Sequence, residues 1–458
     1  MQVHRTQEQQ DRFRRLWWKV VLLALGMLGG VFGSYRYSLH RRVQDELKQI
    51  EAAGYPTTLA GMEAWNPDLL VGQNAAELYQ QAFDALSDVV AWQHRLPGSR
   101  AVGWPPLGQS LLQPTLKDVE RYLSLNDEAL RLLHEAGRLE SARYPVSLAQ
   151  LKPGHHPAHW GQIQHAARCL QMEGMVHAEY QQPELAARSI VAIIKISQSL
   201  RNEPFLRSHK IRRFISEGLG FHTLEYMINY LNFNEPQLNK LKTAFDQAQI
   251  SNALAKVIAG ERCAAIELLY RHRKIGGTVT QGGSTQSRVY KVTGRHDREF
   301  LVYLRFADRL VRLCEKPVGG RLSELQNLKA QLVEGGKYSR IRNLLMKSLL
   351  EAATSDLQSI TSMQISSAAI AIKQYQLGNA RLPDRLEDLV PDYLAAVPID
   401  PLDGQPLRLK KTAAGCVVYS VGLDGIDNGG AVQDDNGRRF IDGTDIIFTI
   451  NHLLPKED

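Results

Sequence analysis

Six aspartates and no glutamate fall between Asp424 and Asp445: Asp424, Asp427, Asp434, Asp435, Asp442 and Asp445. Glycines at 422, 425, 429, 430, 437 and 443 punctuate the same stretch. Oxygen-rich loops of this kind suit Ca2+, a hard cation that takes about six to eight oxygens from carboxylates and carbonyls. Glycine permits the tight turns that bring backbone carbonyls inward. The competing reading is an acidic, solvated turn region. No other stretch of the 458 residues suggests so specific a chemistry.

The remaining candidates are weaker. His155, His156, His159 and His165 form the densest histidine cluster, but only His155 and His159 have i, i+4 spacing, and Pro157 lies between them. There is no HExxH, so a polar loop is the better reading than a metal site. Glu261 and Glu267 flank Arg262 on a predicted helix, where a salt-bridge set is commoner than an acid pair. Neither a G-x-S-x-G nor a Cys/His or Ser/Lys arrangement is visible, and Gly335–Gly336–Lys337 lacks phosphate-loop spacing. The four cysteines, Cys169, Cys263, Cys314 and Cys416, are far apart, which predicts isolated buried thiols; one disulfide stays open in an oxidising compartment.

The net charge of +7 is uneven: Asp424 to Asp445 carries −4, leaving +11 elsewhere. Part of the excess flanks an apolar run from Leu16 to Tyr35, with Arg5, Arg12, Arg14 and Arg15 before it, Lys19 near its start and Arg36, Arg41 and Arg42 after it. Crossing the hydrocarbon takes about 20 residues, and interfacial aromatics stand at Trp17, Trp18, Tyr35 and Tyr37. A retained signal anchor is favoured over a cleaved signal peptide or a buried helix. The basic balance therefore points to a membrane partner and not to nucleic acid. Both flanks are basic, so the charge rule leaves the orientation open; the short basic tail favours the N-terminus inside and the rest outside the cytoplasm, in the periplasm of an inner-membrane, single-pass protein.

Ser38 to Ala53 reads as a charged helical stalk. Helical spacing follows over Asn74–Ala91, Lys117–Ser141, Phe205–Leu231, Glu235–Ala248, Asn252–Arg273, Phe300–Cys314, Leu322–Leu332 and Ser339–Tyr375. Trp160 to Arg201 reads as a helical hairpin turning at Pro183, with Ala166, Leu170, Gly174 and Ala178 set against Ala186, Ile190 and Ile194. Gly276 to Arg298, basic and rich in Gly, Ser and Thr, reads as a surface loop.

The C-terminal stretch Ser362 to Asn451 resembles the globular head of the major pseudopilins of type II secretion systems. The matching order is Ala371, Tyr375, Asn379 and Pro383 at a helix end; Leu386 and Leu389 in a short helix; Pro398, Asp400, Pro401 and Gly404 in a turn; Tyr419, Ser420, Gly422, Asp424 and Gly425 after a strand; then Asp445–Ile446. The resemblance implies a Ca2+ loop with Asp424 and Asp445 as the best-matched ligands, completed by Asp427, Asp434 or Asp435. It departs from the family in placing about 300 mainly helical residues before the head, without a G-F-T-L-x-E signature near Leu16. Locally, Asp434, Asn436, Asp442 and Asp445 also fit positions of an EF-hand-like loop, but Arg438 and Arg439 occupy positions where an acid and a glycine belong.

These readings predict a mainly α protein: a tail over 1–15, a transmembrane signal anchor over 16–35, an extracytoplasmic all-α helical array over 36–338 and a small α+β head with a short antiparallel sheet over 339–458. The expected role is a non-enzymatic envelope scaffold or partner-binding component, linked to secretion-system proteins and holding structural Ca2+. The alternatives are a periplasmic hydrolase with a site between array and head, and a glycan- or peptide-binding module using Trp65, Trp92, Trp104 or Trp160.

Overall fold

The computed structural model describes residues 2–65, 72–87, 92, 94–97, 103–148, 157–249, 253–267, 293–334, 345–431 and 445–451. The described chain is mainly helical, with one long N-terminal apolar helix and a three-stranded antiparallel sheet near the C-terminus.

Helix α1 spans Gln2–Ala52 without a break. Its stretch from Leu16 to Tyr35 is apolar and exposed, with Leu23, Leu28 and Val31 each about two thirds accessible or more. Such a surface needs a non-aqueous partner, and α1 is long and apolar enough to cross a membrane. The outer half differs from the expected stalk. Leu39, Val43, Leu47 and Ile50 recur at helical spacing and are buried against other helices. The charges of this segment occupy only the faces left over, so the helix leaves the apolar zone and enters the core directly.

Short helices follow: α2 (Leu59–Ala64), α3 (Ala75–Ala85), α4 (Gln113–Ser124) and α5 (Asp127–Ala136). The predicted single helix over 117–141 is therefore two. The hairpin is α6 (His159–Glu179) and α7 (Pro183–Gln198), with Pro183 in the first turn, where its missing N–H costs nothing. Its small-residue face allows close approach: a Cβ on Gly174 would lie 3.2 Å from the Ser189 Cβ. Beyond it come α8 (Leu206–Arg213), a π-helical stretch (Phe214–Phe221) and α9 (His222–Ile228). Helix α10 (Glu235–Ala248) opens with a capping box in which Asn234 and Gln237 exchange side-chain and backbone bonds.

Helix α11 (Ala253–Ala265) presses on the turn before α8. A Cβ on Gly260 would stand 2.2 Å from the Pro204 carbonyl oxygen and 2.6 Å from its Cβ. Gly260→Ala should therefore cost about 1–3 kcal/mol through forced separation of the two segments; urea unfolding midpoints indistinguishable from wild type would contradict this close approach.

Helices α12 (Arg295–Glu315) and α13 (Arg321–Glu334) precede the longest core helix, α14 (Lys347–Asn379). One end of α14, through Leu349, Leu350 and Leu357, shares a core with α1, α11, α12 and α13. The other end, through Met363, Ile365 and Ile370, shares a second core with α7, α9, α10 and the sheet. A third core joins α3 to α7. Past α14 lie a 3-10 turn (Leu386–Leu389) and strands β1 (Arg408–Thr412), β2 (Gly415–Ser420) and β3 (Ile446–Asn451), paired antiparallel in that order. Cys416 and Val418 face the α14 core, whereas Val417 and Tyr419 pack with Ile447 on the opposite face, as strand alternation requires. All four cysteines are buried and none is in a disulfide.

Candidate functional site

The predicted ion loop starts where β2 ends. Gly422, Gly425, Gly429 and Gly430 all have left-handed φ, from 62° to 69°. Asp424 Oδ1 accepts from the Ile426 N–H at 3.0 Å, and Asp427 Oδ1 from the Gly429 N–H at 2.8 Å, so each aspartate closes its own turn. Asp445, at the entry to β3, is 5% exposed. Its two oxygens accept from Asn428 N–H at 3.2 Å and Gly430 N–H at 2.8 Å, drawing the loop back onto the sheet. The structure thus brings Asp427 and Asp445 to the same short segment, with Asp424 a turn earlier. Asp434, Asp435 and Asp442 lie outside the described residues. Among the described residues, no three His, Cys, Asp or Glu side chains form a metal-binding group.

Two cations from β1 also reach this loop. Arg408 Nε lies 3.2 Å from Asp427 Oδ2, and the same guanidinium pairs with Asp403 and with Asp400, at 3.4 Å for the latter. Lys410 Nζ donates to the Gly429 carbonyl at 2.7 Å. Asp400, fully buried, accepts from the Leu402 and Val421 N–H groups at 2.9 and 3.3 Å. Burial raises its carboxyl above the ordinary range, against the pull of those bonds. Sequence reasoning did not assign Arg408, Lys410 or the hub role of Asp400. The signal was the i, i+2 placement of Arg408 and Lys410 on one face of a strand next to an acidic loop.

The oxygen donors fit a hard cation in type, and each bonded carboxylate oxygen keeps a further lone pair. Part of the loop's negative charge is already met by Arg408.

The sheet is docked to the helices at its β3 edge. Asn229, at the end of α9, donates from Nδ2 to the Thr449 carbonyl at 2.7 Å, and its Oδ1 accepts from the Asn451 N–H at 2.6 Å. One turn earlier, Glu225 Oε1 accepts from the Thr449 N–H at 2.9 Å. Two helix side chains thus occupy the ladder positions that a fourth strand would take. Phe221 and Phe448 meet edge to face at 5.2 Å between centroids beside this joint.

The suspects for hydrolysis are held in structural bonds. Glu261 Oε1 accepts from the Leu206 N–H at 2.8 Å, capping α8 where that helix has no side-chain cap of its own; burial raises its carboxyl. Glu203 gathers His159 at 2.7 Å, the Trp160 indole N–H at 3.0 Å and the Ser208 hydroxyl. That cluster ties the start of α6, through His159 and Trp160, to Ser208 in α8 through one shared carboxylate. His165 bonds the Tyr122 hydroxyl at 2.5 Å, while His155 and His156 lie outside the described residues. Most of the 276–298 loop does too, but Arg295–Arg298 already belong to α12. Of the tryptophans proposed for glycan binding, Trp160 is buried, and Trp65 and Trp104 are about 40% accessible. A cleft of about 490 Å3 runs between α7 and α10 past Arg188, Lys195, Asn239 and Lys240, away from all of these residues.

No protein family, curated protein or solved structure matches the chain.

Proposed function

We propose that the protein is a non-enzymatic, membrane-anchored envelope component that scaffolds or binds partner proteins of a secretion or pilus-like machine, with a pseudopilin-like C-terminal head. The observation that carries this reading is α1, which is exposed and apolar over Leu16–Tyr35 and then becomes a core helix through Leu39, Val43, Leu47 and Ile50. An anchor built into the core holds a folded body close to the bilayer. The basic N-terminal tail favours the cytoplasm for residues 1–15 and the periplasm for the body. The order of helix, 3-10 turn and three antiparallel strands supports the likeness of the head to a pseudopilin. Affinity capture of the tagged membrane protein after cross-linking tests this role. Recovery of secretion or pilus components supports it, and a preparation free of them after efficient cross-linking rejects it.

In this reading Ca2+ is structural. Asp424, Asp427 and Asp445 would hold it with Asp434 or Asp435, and bound Ca2+ would neutralise the carboxylates of the loop. Adding Ca2+ after EDTA is expected to raise the melting temperature of the full chain, by about 3 kcal/mol of stabilisation at a hundredfold excess over Kd. Asp424→Ala should abolish the response. This variant is more informative than Asp445→Ala, which also orphans two N–H groups. An unchanged melting curve for wild type rules the ion out.

A further inference from the structure

Helix α12 runs parallel to the outer half of α1. Arg36 Nη1 lies 3.0 Å from Asp297 Oδ2, Glu46 Oε2 lies 2.9 Å from Arg305 Nε, and the Tyr55 hydroxyl bonds Glu315. These pairs advance together along both helices, so the first turn of α12 is level with Arg36 to Leu39. Gly294, whose φ is 77°, fixes that register: a Cβ there would lie 2.6 Å from Arg36 Nη1 and 3.4 Å from Leu39 Cδ2.

The apolar run of α1 ends at Tyr35. At 1.5 Å per residue, Arg42 stands about 10 Å beyond it, within reach of the headgroup layer for a long side chain. The start of α12, about 260 residues later in the chain, is brought to this depth. The side chains presented there are cationic. Arg36 pairs with Asp297 and Arg295 with Glu299, but Arg41, Arg42 and Arg298 are exposed and make no ion pair among the described residues. Of the nearby acids, Glu46 is taken up by Arg305, leaving Asp45 as the exposed carboxylate on this side of α1.

We infer that the first turn of α12, with Arg41 and Arg42 of α1, is a second membrane contact that binds anionic phospholipid headgroups of the bilayer α1 crosses. The inference rests on the anchor reading above. A lone spanning helix leaves its attached body free to rotate about the helix axis, whereas a cationic foothold beside the helix gives one side of the body a preference for the surface. Each arginine near an anionic surface contributes enough for about a fivefold change in an equilibrium, and the effect falls with salt.

The test uses the full chain in nanodiscs of phosphatidylcholine alone or mixed with phosphatidylglycerol. Amide exchange over Arg295–Val302 is expected to slow about fivefold or more in the mixed discs at low salt. High salt should remove the difference. The triple variant Arg41→Glu, Arg42→Glu, Arg298→Glu should remove it as well, while melting like wild type in phosphatidylcholine. Equal exchange in the two lipids, or a lipid response that survives in the triple variant, overturns this foothold alone. A chain that does not enter the discs overturns the anchor, and the foothold with it.

Discussion

Asn229→Ala is expected to lower the unfolding free energy of the chain by about 4 kcal/mol, from two backbone groups of β3 left without partners at about 1–3 kcal/mol each. The Asn229 amide bonds the Thr449 carbonyl and the Asn451 N–H while its Nδ2 also donates to the Glu225 carbonyl at 2.7 Å. The side chain is 6% exposed, so water cannot simply replace it. Loss should be largest at the sheet. Amide exchange of Asn451 should quicken well before that of α6 or α7, and denaturant titration of the full chain in micelles reads the global cost. A loss below about 1 kcal/mol with unchanged exchange at Asn451 would show that the joint is not held this way.

Glu173→Ala is expected to cost about 3 kcal/mol at neutral pH, because the largely buried His134 ring and Ser189 hydroxyl both lose their acceptor. Glu173 lies on α6 and is 9% exposed. His134 Nε2 approaches its two oxygens at 3.0 and 2.8 Å, and the Ser189 hydroxyl donates to it at 2.7 Å. Burial pushes the carboxyl up, but His134 and Ser189 outweigh burial and leave it below the ordinary value. The sign follows from that direction. The folded chain keeps this group ionised to lower pH than the unfolded chain does, so its contribution is complete above the unfolded value near 4.5 and is lost as the pH falls through the folded one. Stability measured against pH for wild type and Glu173→Gln should keep a constant separation above the unfolded value near 4.5 and draw together as the pH falls below it. Parallel curves across that range would remove Glu173 from the acid response.

How much of this was legible in the sequence depends on whether a feature is local. Pro183 starting α7 and the pair Leu386 and Leu389 in a short turn are set by neighbours a few residues away, and the structure has them where the sequence puts them. The outer half of α1 was misjudged because its stripe of Leu39, Val43, Leu47 and Ile50 is interrupted by charges, and its partner α12 is distant in the chain. The aspartate loop was visible by composition. Its electrostatic partner Arg408 was not, because strand pairing and the turn at Asp400 bring the two together. The bonds from Asn229 and Glu225 to Thr449 span more than 200 positions and carry no periodic signal.

The way α9 closes the β3 edge has a consequence for assembly. A three-stranded sheet ordinarily offers two open edges to a strand from another chain. Here the β3 side is satisfied within the molecule, and the β1 side presents Lys410 and Lys411, the first bonded to Gly429 and the second to Asp384. An incoming strand would have to displace buried side-chain bonds on one side or desolvate lysines on the other. Polymerisation by strand exchange is therefore disfavoured at both edges of the described sheet.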